Sequence, residues 1–259
     1  MPILKSGEAR IHYALEGQSG APVLLFSNSL GANYSMWDLQ AREFHKKFRI
    51  LRYDTRGHGQ SSATPGPYSI EQLAKDVLAL LDALDLDRVH FCGLSMGGMI
   101  GMWLGVNAPE RLNKLVLCNT GATIGNLEAW NARIEAVRKN GMKSIVSAVV
   151  ERWFSPAFRQ KSPAIISNTC KMIEEANADG YSACCAAVRD FDFRGQLSGV
   201  RTPTLVIAGA HDPATLPADG RFLAQHISGA KYAELNAAHL SNIEDYEQFN
   251  KELAAFLNS

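Results

Sequence analysis

Gly93-Leu94-Ser95-Met96-Gly97 places a serine between glycines two residues away on either side. Before it runs a short apolar β-type stretch, Val89-His90-Phe91-Cys92, and after it a helical stretch rich in Met, Leu and Gly. A hydroxyl in that place can serve as a nucleophile. A strand that turns sharply into a helix imposes strained backbone angles on the residue at its tip, and the flanking glycines leave room for the turn. The serine Oγ then projects above the strand ends. The Met96 amide falls at the start of the helix, where N–H groups lack partners and the dipole favours negative charge. The pattern alone could also be a glycine-rich turn with an incidental serine. The strand before it and the helix after it are the context that a nucleophile elbow requires.

The rest of the chain supplies elements that could hold such a serine. Residues 3–16 alternate polar and apolar and predict an antiparallel edge hairpin. Pro22–Phe26, Arg49–Tyr53, Leu112–Cys118 and Thr204–Ala208 read as strands, and Lys231–Leu235 as a further one. Residues 34–45 are weakly helical. Tyr68–Leu86 carries a helical apolar stripe with Ser69 as its N-cap. Residues 218–227 and Ile243–Leu257 predict helices near the end of the chain. Residues 121–196 differ from the rest, reading as short helices around Leu127–Lys139, Lys143–Phe154, Ala164–Ala178 and Tyr181–Asp190. Alternation of buried strands and amphipathic helices predicts a mostly parallel, doubly wound α/β sheet. The block at 121–196 is expected as a lid across the carboxyl ends of the strands, where such sheets bind ligands. The core is then 1–120 together with 197–259.

Bulk properties narrow the function. The chain has 259 residues, 46% hydrophobic and 20% charged, enough for one large domain with a sizeable core. Net charge is zero and no basic run appears, so no nucleic-acid partner is expected. No apolar stretch is long enough for a membrane span. Met1–Glu8 has no signal-peptide apolar region and an early acidic residue, which predicts a cytoplasmic protein. The five cysteines fit no zinc or redox spacing, in keeping with a reduced compartment. Nothing calls for a metal or an organic cofactor. Oligomeric state leaves no signature, so a homo-oligomer stays open.

Taken together, the elbow, the strand–helix order and the inserted helices resemble the α/β-hydrolase fold family, with its eight-stranded sheet. The resemblance implies a catalytic order of serine, acid, histidine, the acid after a late strand and the histidine before the last helix. On that pattern Ser95, Asp212 in Gly209-Ala210-His211-Asp212-Pro213 and His239 in Asn236-Ala237-Ala238-His239 form the triad. His239 would take the serine proton and return it to the leaving oxygen, and Asp212 would fix the imidazole. Asp212 could instead be a loop cap. Asp190 and Asp192 are rival acids but precede the strand, and Asn119 stands where some members place the acid but is an amide. His12, His45 and His226 look like surface or edge residues. His90 looks packed in the core, and His58, in the Arg56-Gly57-His58-Gly59 loop, looks structural. A second oxyanion donor is expected from the loop after Val23–Phe26. Many members have His-Gly there. Asn28-Ser29-Leu30-Gly31 departs from that and points to the Leu30 amide beside that of Met96.

Ser27–Gly31, Trp37, Arg52–Gly59, Gly93–Gly98 and the Trp130-Asn131-Ala132-Arg133-Ile134 stretch are similar to the 3-oxoadipate enol-lactonase group. That resemblance implies hydrolysis of a lactone bearing a free carboxylate. Trp130 and Arg133 share a helix face. Arg133, with Arg138 also in reach by sequence, is expected to bind the carboxylate while Trp130 packs over the ring; lid arginines that are solvated or pair with neighbours such as Glu128 or Glu135 are the plainer alternative. Rival readings are a broad carboxylesterase, a cofactor-free perhydrolase, a carbon–carbon bond hydrolase of ring-cleavage products, or a non-catalytic binding protein on the same fold.

Overall fold

The computed structural model describes residues 2–259. Strands β1 (Ile3–Ser6), β2 (Ala9–Glu16), β3 (Val23–Ser27), β4 (Arg49–Tyr53), β5 (Val89–Leu94), β6 (Leu112–Cys118), β7 (Thr204–Gly209) and β8 (Lys231–Leu235) form one sheet in the order β1-β2-β4-β3-β5-β6-β7-β8. Only the β1–β2 and β2–β4 pairings are antiparallel. From β4 onward every pairing is parallel. Every residue of β3 and β7 is buried, as central parallel strands covered on both faces must be.

The two faces follow from the period of two along each strand. On one face Phe91 and Leu115 meet α3 (Met96–Asn107), where a Cβ on Gly101 would stand 2.9–3.1 Å from their side chains. The helix α2 (Ile70–Ala83) packs beside α3, its N-terminus capped by Ser69 Oγ, which accepts the Gln72 N–H at 3.1 Å. On the other face Phe26 stacks on Trp37, and Trp37 meets Phe249 of α11 (Tyr246–Leu257). The short helix α1 (Asp38–Phe44) lies against α11 there. The expected terminal helix over Ile243–Leu257 divides in two, α10 (Ser241–Glu244) and α11, at Asp245.

Between β6 and β7 the chain makes α4 (Leu127–Asn140), α5 (Val146–Trp153), α6 (Pro156–Lys161), α7 (Pro163–Glu174) and α8 (Ala178–Arg189). Helix α6 was not anticipated; Pro156 at its first position and the Ser155 cap, whose Oγ accepts from Phe158 N–H, define it. The remaining helix, α9 (Pro217–His226), packs on β7 and β8. No helix among the described residues is long and apolar enough to cross a membrane.

The structure corrects the reading of His12. It is fully buried, and its Nδ1 lies 2.7 Å from Asp54 Oδ2. The pair joins strand β2 to the loop after β4, a contact that alternation within the hairpin does not reveal.

Candidate active site

The turn from β5 into α3 has the geometry that the glycine spacing anticipates. Ser95 has φ 57° and ψ −113°, a conformation that an L-residue occupies only under constraint. A Cβ on Gly93 would lie 2.2 Å from the Gly97 carbonyl oxygen, and one on Gly97 would lie 2.3 Å from that of Ser27. Three hydrogen bonds hold the turn: Ser95 N–H to Cys118 O at 2.9 Å, Gly97 N–H to Asn28 O at 3.0 Å, and Thr120 Oγ1 to Ser95 O at 2.8 Å. The strain is thus held by the neighbouring strands β3 and β6.

The parallel register brings the other candidates to the same edge. Leu94 pairs with Cys118, Cys118 with Ile207, and Gly209 with Leu235. Asn119, Asp212 and His239 therefore leave successive strand ends. His239 Nδ1 lies 2.8 Å from Asp212 Oδ2. Asp212 is buried and also accepts from Asn119 Nδ2 at 3.0 Å, Thr215 Oγ1 at 2.6 Å, and the Ala214 and Thr215 amides. Burial alone pushes its carboxyl up. The His239 charge and the bonds from His239, Thr215 and Asn119 outweigh this and hold it below the ordinary carboxylate range. An anion at Asp212 fixes the proton of His239 on Nδ1 and leaves Nε2 free as a base. The capping alternative for Asp212 is not exclusive, since the same carboxylate both caps its loop and orients His239.

Ser95 and His239 line one cavity of about 200 Å³ under the inserted helices. Among the described residues neither Ser95 Oγ nor His239 Nε2 bonds to a protein partner, so both are free to engage a bound molecule. Such contacts are often loose before substrate arrives. The amides of Leu30 and Met96, near the same serine, likewise have no protein acceptor among the described residues. Together the groups can deprotonate a hydroxyl, attack a carbonyl and receive an oxyanion.

The inserted helices give this cavity its charge. Trp130 and Arg133 of α4 both line it, with the guanidinium 4.7 Å from the centre of the Trp130 ring. Trp130 is held by its Nε1–H to Ile124 O at 2.7 Å. Among the described residues Arg133 has no carboxylate partner, so it is not the surface-paired arginine considered as its alternative. Arg138 is a correction. It lies outside the cavity, on a surface depression with Ile134, Asn131 and Arg189. Five residues beyond Arg133 is about 1.4 helical turns, which rotates Arg138 onto another face. Asp190 and Asp192 pair with Arg189 and Arg194 at the surface, away from His239. His211 is exposed and bonds to Asn236.

Two cavity residues were missed in the sequence. Arg152 lines the cavity from α5, and its only protein bond among the described residues is Nε–H to Ala148 O. Val149, Arg152 and Trp153 all line the cavity, so a cation on an otherwise apolar helical stripe was the available signal. Tyr181 of α8 is buried, interacts with Arg133 and packs near Gly31. Among the described residues no acidic side chain lines the cavity. No group of three or more His, Cys, Asp or Glu among the described residues could hold a metal ion.

A serine on a strained strand–helix turn, facing a carboxylate-oriented histidine at the carboxyl ends of a doubly wound sheet, defines the α/β class of ester-bond hydrolases. Residues 22–246 match the α/β hydrolase fold family, and the chain belongs to it. It is 44% identical over 254 residues to 3-oxoadipate enol-lactonase 2 of Acinetobacter baylyi, covering 98% of this chain and 95% of that protein. It is 39% identical to 3-oxoadipate enol-lactonase 1 of the same organism, covering 95% and 92%. Among solved structures, the enol-lactonase from Burkholderia xenovorans LB400 superposes over 100% of both chains with a TM-score of 0.98 and 43% identity.

Proposed function

We propose that the chain is a serine hydrolase that opens the ring of 3-oxoadipate enol-lactone with water, giving 3-oxoadipate, in the β-ketoadipate route of aromatic breakdown. The observation that carries the substrate class is the cavity itself. Among the described residues Arg133 and Arg152, both without a carboxylate partner, line it together with Ser95 and His239, and no acidic side chain does. Such a lining attracts an anionic substrate and penalises a neutral one.

Ser95 Oγ attacks the lactone carbonyl while His239 Nε2 takes its proton. The Leu30 and Met96 amides receive the oxyanion, each such donor typically contributing about 3 kcal/mol to the transition state. The ring C–O bond then breaks. The ring oxygen leaves as an enol, protonated by His239, and tautomerises to the ketone. It stays tethered through the acyl chain. Water, deprotonated by His239, then attacks the Ser95 ester, and the serine regains its proton. The helices 121–196 act as the lid, Arg133 and Arg152 holding the free carboxylate and Trp130 lying over the ring.

The test compares the enol-lactone with its neutral methyl ester. Arg133→Ala and Arg152→Ala should each raise KM for the anionic lactone by about tenfold, the loss of roughly 1.4 kcal/mol expected for a charged hydrogen bond, and leave the methyl ester nearly unchanged. Equal effects on both substrates would refute the anion-binding role.

A further inference from the structure

His58 lies outside the serine–histidine–aspartate set, yet it touches the loop that carries the Leu30 amide. Ser29 to Ala32 form a turn closed by Ala32 N–H to Ser29 O at 3.1 Å. Leu30 and Gly31 are its central residues, and Gly31 has φ +88°, the value that the third position of a type II turn demands and that glycine supplies without strain. The peptide between those two residues is the one whose flip separates type II from type I turns. Its N–H, from Gly31, donates to His58 Nε2 at 2.9 Å.

The acceptor role fixes the state of the ring. His58 Nδ1 lies 3.3 Å from Arg56 O, so Nδ1 carries the proton and Nε2 offers a lone pair. The groups facing the ring are few: Cys184 Sγ of α8 at 4.0 Å from Nδ1, the Tyr181 ring at 6.3 Å, and the Asp54 carboxylate at the start of the same loop. Burial lowers the pKa of His58 against the smaller opposing effects of Arg56 O and Asp54, which keeps the ring neutral. A protonated ring would set N–H against N–H and release the turn.

We infer that His58 is a positioning residue for the oxyanion site: its Nε2 holds the Leu30–Gly31 peptide so that the turn presents the Leu30 amide above Ser95. The inference rests on the serine-hydrolase reading but not on the identity of the lactone. His58→Leu removes the acceptor and keeps bulk; His58→Gln keeps an acceptor. Competent sites are counted by stoichiometric labelling with a p-nitrophenyl phosphonate, and turnover of p-nitrophenyl acetate is expressed per labelled site. The Ki of a trifluoromethyl ketone, which forms a tetrahedral adduct, is measured alongside. In His58→Leu, kcat per site should fall by about tenfold to a hundredfold with KM nearly unchanged, and Ki should rise in parallel. His58→Gln should recover most of both. Where His58→Leu leaves no labelled sites, His58→Met takes its place against His58→Gln. A merely structural histidine would lower the number of sites and leave kcat per site within twofold, and that result overturns the inference. Wild type that neither labels nor turns over the ester would instead refute the hydrolase reading, and the inference with it.

Discussion

The Leu240 amide donates to the Trp153 carbonyl at 3.0 Å, and this single bond ties the last turn of an inserted helix to the residue next to His239. Glu244 reinforces the tie, its Oε2 accepting the Ser155 N–H at 3.2 Å and the Ala238 N–H at 3.1 Å. The helix that presents Arg152 and Trp153 to the cavity is therefore anchored to the loop that presents the base.

Glu244→Ala should loosen both sides together. Two part-buried amides lose their acceptor, at a cost of about 1–3 kcal/mol of stability. Hydrogen exchange should show Ser155 and Ala238 losing protection together, with kcat falling. Protection lost at only one of the two amides would mean that the helix and the loop move independently.

A second contact between the core and the inserted helices is closer still. Gly57 of the loop after β4 and Gly180 of α8 face each other, and a Cβ on Gly180 would lie 2.4 Å from Gly57 Cα. Gly180→Ala should push α8 off the loop at a cost of about 1–3 kcal/mol, the usual range for overpacking. Because Tyr181 follows directly, kcat/KM should fall further than stability alone accounts for, as measured by denaturation and kinetics on the same preparation.

The arginines of α4 should separate by face. Arg138→Ala should leave KM for the anionic lactone within about twofold, since an exposed charge outside the cavity contributes little. Trp130→Leu should raise it by about two- to fivefold, the worth of a cation–π contact of roughly 0.5–1 kcal/mol on Arg133. Steady-state kinetics on purified variants decides both.

How far the site could be read from the sequence depended on how local each constraint is. Ser95 was legible because its glycine spacing is local: the clash that demands Gly93 arises at Gly97, four residues on, although the one that demands Gly97 comes from the distant Ser27. Asp212 and His239 were legible through the family pattern, and the structure brings their side chains to 2.8 Å. The five-bond cage around Asp212 was not, because its Asn119 contact spans 93 residues. Arg138 was misplaced because sequence proximity to Arg133 ignored helical phase. His12 looked like an edge residue because its partner, Asp54, lies 42 residues on. Arg152 is marked out only by the cavity lining that it shares with Val149 and Trp153. The sheet fared better, since apolar runs and amphipathic stripes are set by a few consecutive side chains.

The Asp212 carboxyl should also leave a mark on stability. Its native pKa lies below the ordinary 3.8, so between the two values the unfolded chain binds more protons than the folded one. The stabilisation is then complete above pH 3.8 and is lost as pH falls through the native value. Unfolding free energy measured in urea across that acid range should fall more steeply for wild type than for Asp212→Asn, which has no carboxyl to titrate. Parallel curves for the two proteins would contradict the assignment of a depressed pKa to this residue.

Ring opening through Ser95 is tested most directly by following the ultraviolet absorbance of 3-oxoadipate enol-lactone with purified protein and with Ser95→Ala. Wild type should give rapid, saturable loss of absorbance, and the variant a drop of about 10⁴-fold or more in kcat, as expected when a triad nucleophile is removed. Undiminished decay with Ser95→Ala, or wild type that hydrolyses neutral esters while leaving the lactone intact, would contradict it.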